Sequence, residues 1–169
     1  SPGGKTVGLA ERVGPEGTVV ACDVRLRRVR LLRSPINRCR LDRVAVVQVS
    51  DTGPLPFLPG GFDLVLVDAP CSGLGTIRRE ADIRWRREEA DLARLADGQL
   101  VLLMRASETV ATGGTLVYAT CSSEPEENDA VAAAFLADHP GFALVHEHRT
   151  LPFRDALEAF YAAVMVRNV

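Results

Sequence analysis

Two thiols and one carboxylate stand where strand ends are expected, in Asp68-Ala69-Pro70-Cys71-Ser72-Gly73 and in Thr120-Cys121-Ser122. The first follows the apolar run Phe62-Asp63-Leu64-Val65-Leu66-Val67 and the second follows Thr115-Leu116-Val117-Tyr118-Ala119. Both runs read as buried strands. Pro70 holds Ala69 out of helical geometry, so the chain turns sharply after Asp68. A free thiol is only a few per cent thiolate at neutral pH, so a cysteine nucleophile needs an activating setting. His139, His146 and His148 all lie late in the chain, away from both thiols, which disfavours a Cys-His hydrolase. What remains is chemistry in which the substrate itself assists the thiol.

Attack on a cytosine ring is such chemistry. A thiolate adds at carbon 6 and makes carbon 5 nucleophilic, while an acid near the ring nitrogens stabilises the developing charge. Carbon 5 then attacks a methyl sulfonium, and loss of its proton lets the thiol leave. One thiol, one acid and one further proton-handling group suffice, and Cys71, Cys121 and Asp68 are candidates for them. From these residues alone, either thiol could be the nucleophile.

The elements that must position these residues alternate between strand and helix, which favours a doubly wound, mostly parallel α/β sheet. Helices are expected over residues 6–13, from Arg25 to Arg33 with Pro35 restarting or kinking the helix, from Glu88 to Ala111, and from Pro125 to Asp138. Strands are expected at 18–22, 44–49, 62–67 and 115–119, and two closing strands at 142–145 and 161–166. Gly113-Gly114 is read as the end of the long helix, and Thr76 to Arg87 as a polar loop. The chain opens on Ser1 without an initiator methionine, and its glycine turn lacks the strand that normally precedes one. The expectation is a piece of a longer protein, forming one domain over residues 1–169 with the first strand missing.

Asp23, Asp51 and Asp68 fall in register at successive strand ends, with Gly3-Gly4 opening the first unit. Ligands of open α/β sheets bind outside the carboxyl ends of the strands, and an acid after the second strand suits ribose hydroxyls. The pattern predicts one pocket for a nucleoside-type cofactor, and the lack of GxGxxG argues against NAD. Gly4-Lys5-Thr6 also matches the tail of a phosphate-binding P-loop, but that motif's first glycine would precede residue 1. A nucleotidase therefore ranks second, and a non-catalytic RNA-binding domain third.

The formal net charge is −2, yet nineteen of the twenty basic residues are arginine and they cluster. Eight lie between Arg25 and Arg43, where a solvated helix face explains them at least as well as a ligand. Five more, Arg78, Arg79, Arg84, Arg86 and Arg87, leave the strand that carries Asp68, and these are expected to meet nucleic-acid phosphates. Acids collect at Glu88, Glu89 and Asp91 and again at Glu124, Glu126, Glu127 and Asp129. Cys22 and Cys39 read as inert buried hydrophobes. No CxxC pair or histidine cluster points to a metal, and no apolar run reaches membrane-span length. A cytoplasmic chain with reduced thiols is the expectation.

Taken in order, Pro2-Gly3-Gly4-Lys5-Thr6, Asp23, Asp51, Asp68-Ala69-Pro70-Cys71-Ser72-Gly73 and Thr120-Cys121-Ser122 resemble the RNA cytosine-5 methyltransferases of the Sun (RsmB) family. Gly75 to Arg79, Ile83-Arg84-Trp85, Gly113-Gly114-Thr115-Leu116-Val117-Tyr118 and Pro125-Glu126-Glu127-Asn128 add to the likeness. The resemblance implies a Rossmann-like class I methyltransferase fold with S-adenosylmethionine as cofactor. It implies that Ser1, Pro2, Gly3, Gly4 and Lys5 wrap the methionine part, that Asp23 holds the ribose, and that Asp51 contacts the adenine. Asp68 would face the methyl and target-base region, Cys121 would be the nucleophile, and Cys71 would assist product release. The implied substrate is RNA, small-subunit ribosomal RNA foremost and transfer RNA as the alternative. Leu157-Glu158-Ala159-Phe160-Tyr161 stands where relatives carry glycine before paired aromatics, a departure expected to affect only a turn.

Overall fold

The structure, a computed structural model, describes residues 3–168. It comprises two compact units, divided between Pro56 and Phe57. In the first, α1 (Gly4–Arg12), β1 (Val19–Asp23), α2 (Leu26–Arg38) and β2 (Val44–Gln48) follow one another. β1 and β2 pair in parallel from Val19 opposite Val44 to Asp23 opposite Gln48. Parallel neighbours need a long crossover, and α2 is that crossover. Its buried Val29, Leu32 and Ile36 recur at helical spacing, and Leu32 and Ile36 pack with Ala21, Leu41, Val44 and Val46. Arg27, Arg28, Arg30 and Arg33 lie on its exposed side, as a solvated face predicts.

Pro35 neither restarts α2 nor ends it, because the helix continues through it to Arg38 and the Cys39 N–H donates to the Pro35 carbonyl at 3.0 Å. The Pro35 ring also explains Gly3, which caps α1 at φ +109°. A Cβ on Gly3 would lie 2.8 Å from Pro35 Cγ. Cys22 and Cys39, expected to be buried, are exposed. Alternation along β1 turns Ala21 rather than Cys22 toward α2, and Cys39 falls beyond the last buried turn of the helix.

The second unit carries β3 (Phe62–Asp68), α3 (Ile83–Arg86), α4 (Glu89–Ser107), β4 (Val110–Thr120), α5 (Asp129–Asp138), β5 (Phe142–Thr150), α6 (Pro152–Asp155) and β6 (Phe160–Arg167). Short 3₁₀ turns at Leu74–Thr76 and Pro125–Glu127 follow β3 and β4. The sheet order is β3-β4-β6-β5, with β3 and β4 parallel and the other two pairs antiparallel. The α/β reading holds, with a mixed sheet in this unit. Residues 151–159 join β5 to β6 and are too few for a parallel crossover, which takes a dozen residues or more. The core of this unit is built on Leu103 of α4, Leu116 and Tyr118 of β4, Phe135 of α5 and Met165 of β6, all fully buried.

α4 ends at Ser107, earlier than expected, and β4 begins at Val110. The Ser107 hydroxyl donates to the Met104 carbonyl and the Thr109 hydroxyl to the Ala106 carbonyl, each at 2.7 Å, so side chains cap the helix. Gly113-Gly114 lies inside the strand instead, where the β3–β4 register shifts between Phe62 and Leu64. Gly113 has φ +78°, and a Cβ on Gly114 would lie 2.8 Å from the Ala111 carbonyl oxygen. Both positions therefore favour glycine. No helix among the described residues is long and apolar enough to cross a membrane.

Candidate functional site

Parallel pairing of β3 with β4 puts Asp68 opposite Ala119, so the turns that leave both strands start side by side. The pairing runs on through the Ala69 N–H, which donates to the Ala119 carbonyl at 2.9 Å. Asp68 is exposed at the strand end, while Ala69 behind it is buried. Beyond Pro70 the chain delivers Cys71, and two residues beyond Ala119 the neighbouring strand delivers Cys121. Their Sγ atoms are 3.2 Å apart, and both side chains are half-buried.

The hydrogen bond between the two sulfurs pushes the Cys71 thiol above its ordinary range. Burial and the charge that Cys121 would carry push it further the same way. Two groups this close do not both ionise, because the first thiolate disfavours the second. One member of the pair therefore keeps its proton when the other is a thiolate.

Backbone and side chains lock the two turns together. The Gly75 N–H donates to the Cys121 carbonyl at 3.1 Å, and the Ala159 N–H donates to the Gly75 carbonyl at 3.0 Å. Gly73, at φ +78°, reverses the chain between Cys71 and the 3₁₀ turn. The serines that follow the cysteines both reach Glu127. Ser72 donates its hydroxyl to Oε2 at 2.5 Å, and Ser122 donates to the same oxygen at 2.6 Å. Oε1 accepts the Ser72 N–H at 2.8 Å and Gln99 Nε2 at 2.9 Å. Gln99 also donates to the Pro70 carbonyl, and the Tyr118 hydroxyl contacts both Gln99 Oε1 and the Glu127 carbonyl. Asn128 accepts from Thr120 Oγ1 and donates to the Ser122 carbonyl. Burial and the nearby Glu127 charge hold the Tyr118 phenol well above its usual range.

Reading the sequence by type and spacing missed this network. Glu127 stands among Glu124, Glu126 and Asp129, which look like one solvated acidic run, yet Glu127 alone of the four carries no exposed surface. The available signal was the serine after each cysteine, which demands a common partner once the two strands are neighbours.

In the first unit, Asp23 ends β1 and its Oδ1 accepts the Arg25 N–H at 2.8 Å, with Arg28 3.7 Å from Oδ2. Asp51 lies past the end of β2, in a turn where the Thr52 N–H donates to Ser50 Oγ at 3.2 Å. Gly3, Gly4 and Lys5 form the head of α1. Ser1 and Pro2 lie outside the described residues. Asp68, Cys71 and Cys121 belong to the second unit.

The five arginines after β3 are all exposed, but their surroundings differ. Arg86 pairs with Asp82 at 3.5 Å, and Arg79 lies 3.5 Å from Glu158. Arg84 lies against the ring of Trp85, whose side chain stands in solvent. Arg78 and Arg79 border a hollow of about 390 Å³ with Ala156, Leu157 and Glu158. Arg87 instead donates its Nε to the Ser72 carbonyl at 2.9 Å, which ties it to the turn bearing Cys71.

Comparison with known proteins places this arrangement. The sequence profile of the 16S rRNA methyltransferase RsmB/F family matches residues 1–165. Ribosomal RNA small subunit methyltransferase B of Sodalis glossinidius is 39% identical over 176 aligned residues, covering 99% of this chain and 40% of the relative. The crystal structure of PH0851 superposes with a TM-score of 0.94 at 32% identity, over 99% of this chain and 41% of that one. A methyltransferase homologue from Pyrococcus horikoshii gives 0.81 at 30% identity, over 99% and 59%. The chain thus spans about two fifths of the length of the curated relative. It has the Rossmann-like fold of methyltransferases and belongs to the 16S rRNA methyltransferase RsmB/F family.

Proposed function

We propose that the chain is the catalytic domain of an enzyme that methylates carbon 5 of a cytosine in small-subunit ribosomal RNA. S-adenosylmethionine is the donor, and a covalent cysteine–cytosine intermediate is formed. The observation that carries this reading is the 3.2 Å approach of Cys71 and Cys121 beside the strand that ends in Asp68. Family membership supports it, since the matching relatives bear the name of ribosomal RNA methyltransferases.

The residues of the first unit suit the cofactor. A Cβ on Gly4 would meet nothing within 4 Å, so the backbone at the head of α1 is approachable. An ionised carboxylate offers about four acceptor positions, and Asp23 keeps capacity for ribose hydroxyls beside its bond from Arg25. Ser1, Pro2, Gly3, Gly4 and Lys5 hold the methionine part in this reading, and Asp51 the adenine. When bound, S-adenosylmethionine supplies an electrophilic methyl group.

Cys121 Sγ adds to carbon 6 of an unstacked cytosine, and the electron pair of the carbon 5–carbon 6 double bond moves toward the ring nitrogens. Asp68, as the acid, passes a proton to that nitrogen edge to neutralise the charge, and takes it back as the sulfur leaves. Once carbon 5 is methylated, a base takes its proton and the sulfur–carbon 6 bond breaks, returning the electron pair to Cys121. Cys71, still protonated, donates a hydrogen bond to the departing sulfur. Unstacking the base costs a few kcal/mol, and phosphate contacts from Arg78, Arg79, Arg84 and Arg86 offset it, with Arg87 bracing the turn.

The test is transfer of labelled methyl from S-adenosylmethionine to 16S rRNA by the full-length protein, with the product mapped as 5-methylcytosine. Label appearing on another base or another atom would contradict the proposal.

A further inference from the structure

A fully buried carboxylate is expensive unless every acceptor position is filled, and a neutral or apolar residue could brace two turns at lower cost. Glu127 is fully buried and receives four donors: the Ser72 N–H, the Ser72 and Ser122 hydroxyls, and Gln99 Nε2. An ionised carboxylate has about four lone-pair sites, so donors and acceptors match in number. These donors come from the residue after Cys71, the residue after Cys121, and the helix beneath them. Each serine oxygen also accepts a backbone N–H from its own turn, from Leu74 at 3.4 Å and from Glu124 at 3.1 Å. With both hydroxyl protons directed at Oε2, the 3.2 Å contact between the two serine oxygens is a consequence of their shared partner.

We propose that Glu127 is a positioning residue that sets the separation of the two thiols by anchoring Ser72 and Ser122 on one oxygen. It touches neither sulfur and acts through the serines, while Gln99 fixes the other oxygen and the Pro70 carbonyl. Any catalytic consequence rests on the methyltransferase reading above; the thiol geometry itself does not. Glutamine at 127 keeps the shape but places two N–H donors where an acceptor stood. One serine proton is then left without a partner, and the turns are free to separate.

The experiment uses the full-length protein with Cys22 and Cys39 replaced by serine, and phenylarsine oxide as probe. One arsenic binds two adjacent thiols, its oxygen leaving as water with both thiol protons. The expected result is tight binding in this parent and a loss of about tenfold or more in Glu127→Gln, the scale of a lost charged hydrogen bond. Simple alkylation of single thiols by iodoacetamide should persist. In turnover, kcat should fall while KM for S-adenosylmethionine holds. A lower melting temperature with unchanged arsenical affinity and unchanged kcat would reduce Glu127 to a structural brace and overturn the proposal. If Glu127→Gln does not fold, Ser72→Ala and Ser122→Ala decide by the same two readouts. A parent that binds the arsenical but never methylates RNA would count against the methyltransferase reading alone.

Discussion

The Gly75 N–H and the Cys121 carbonyl are joined at 3.1 Å, so the turn leaving β3 is tied to the nucleophile candidate at the end of β4. A Cβ at Gly75 would lie 2.2 Å from the Ala159 carbonyl oxygen and 2.8 Å from that of Cys121. Backbone cannot yield as a flexible side chain does. Gly75→Ala should therefore cost about 2–3 kcal/mol or more, at or beyond the usual range for overpacking, read from urea unfolding. A loss under about 0.5 kcal/mol would show that the junction is loose.

Asp23 is expected to accept a cofactor hydroxyl. Asp23→Ala should weaken S-adenosylmethionine binding by about 1.5–3 kcal/mol, measured by calorimetry. Unchanged affinity would remove Asp23 from the binding site.

Arg78, Arg79, Arg84 and Arg86 should act on phosphates rather than bases. Replacing them with alanine should weaken many RNAs alike and lower the slope of log affinity against log salt by about 0.7 for each lost contact to a single strand. Loss confined to one sequence would mean base readout. Arg87→Ala differs, because Arg87 holds the Ser72 carbonyl, and should slow turnover more than it weakens RNA binding.

Alkaline pH should destabilise the fold. Cys71 is raised above its unfolded value by Cys121 and by burial, and burial together with Glu127 raises Tyr118. Such groups stabilise fully below their unfolded values, about 8.5 for a thiol and 10 for a tyrosine, and that stability is lost as pH climbs toward the folded values. Unfolding free energy should fall above about pH 8.5, and Cys71→Ser should lessen the first part of the fall, the rest of which comes from Cys22, raised by desolvation to about 11. A flat profile to pH 10 in the parent would contradict the thiol coupling.

Asp68, Cys71 and Cys121 were legible in the sequence because each sits at or just beyond the end of an apolar run, and strand ends are where α/β sheets place ligands. The pairing of Asp68 with Ala119 then turned two separate motifs into neighbours. Glu127 was not legible, because nothing local distinguishes it from Glu126, and its burial depends on a turn 55 residues upstream as well as on its neighbour Ser122. The early end of α4 was hidden for a similar reason. Caps by Ser107 and Thr109 stop a helix without any glycine or proline, whereas Gly113-Gly114 looked like a stop and serves a strand irregularity. Pro35, read as a restart or a kink, does not restart the helix, since the α2 pattern of buried residues outweighs one missing hydrogen bond.

The division of labour between the two sulfurs, 3.2 Å apart, is the central claim, and covalent trapping tests it most directly. Full-length Cys121→Ala and Cys71→Ala proteins are incubated with 16S rRNA and S-adenosylmethionine and run on a denaturing gel. Cys121→Ala should give neither 5-methylcytosine nor a slow-migrating band. Cys71→Ala should methylate once and then hold its product as a covalent complex. An adduct lost in Cys71→Ala and trapped in Cys121→Ala would reverse the two roles and contradict the account.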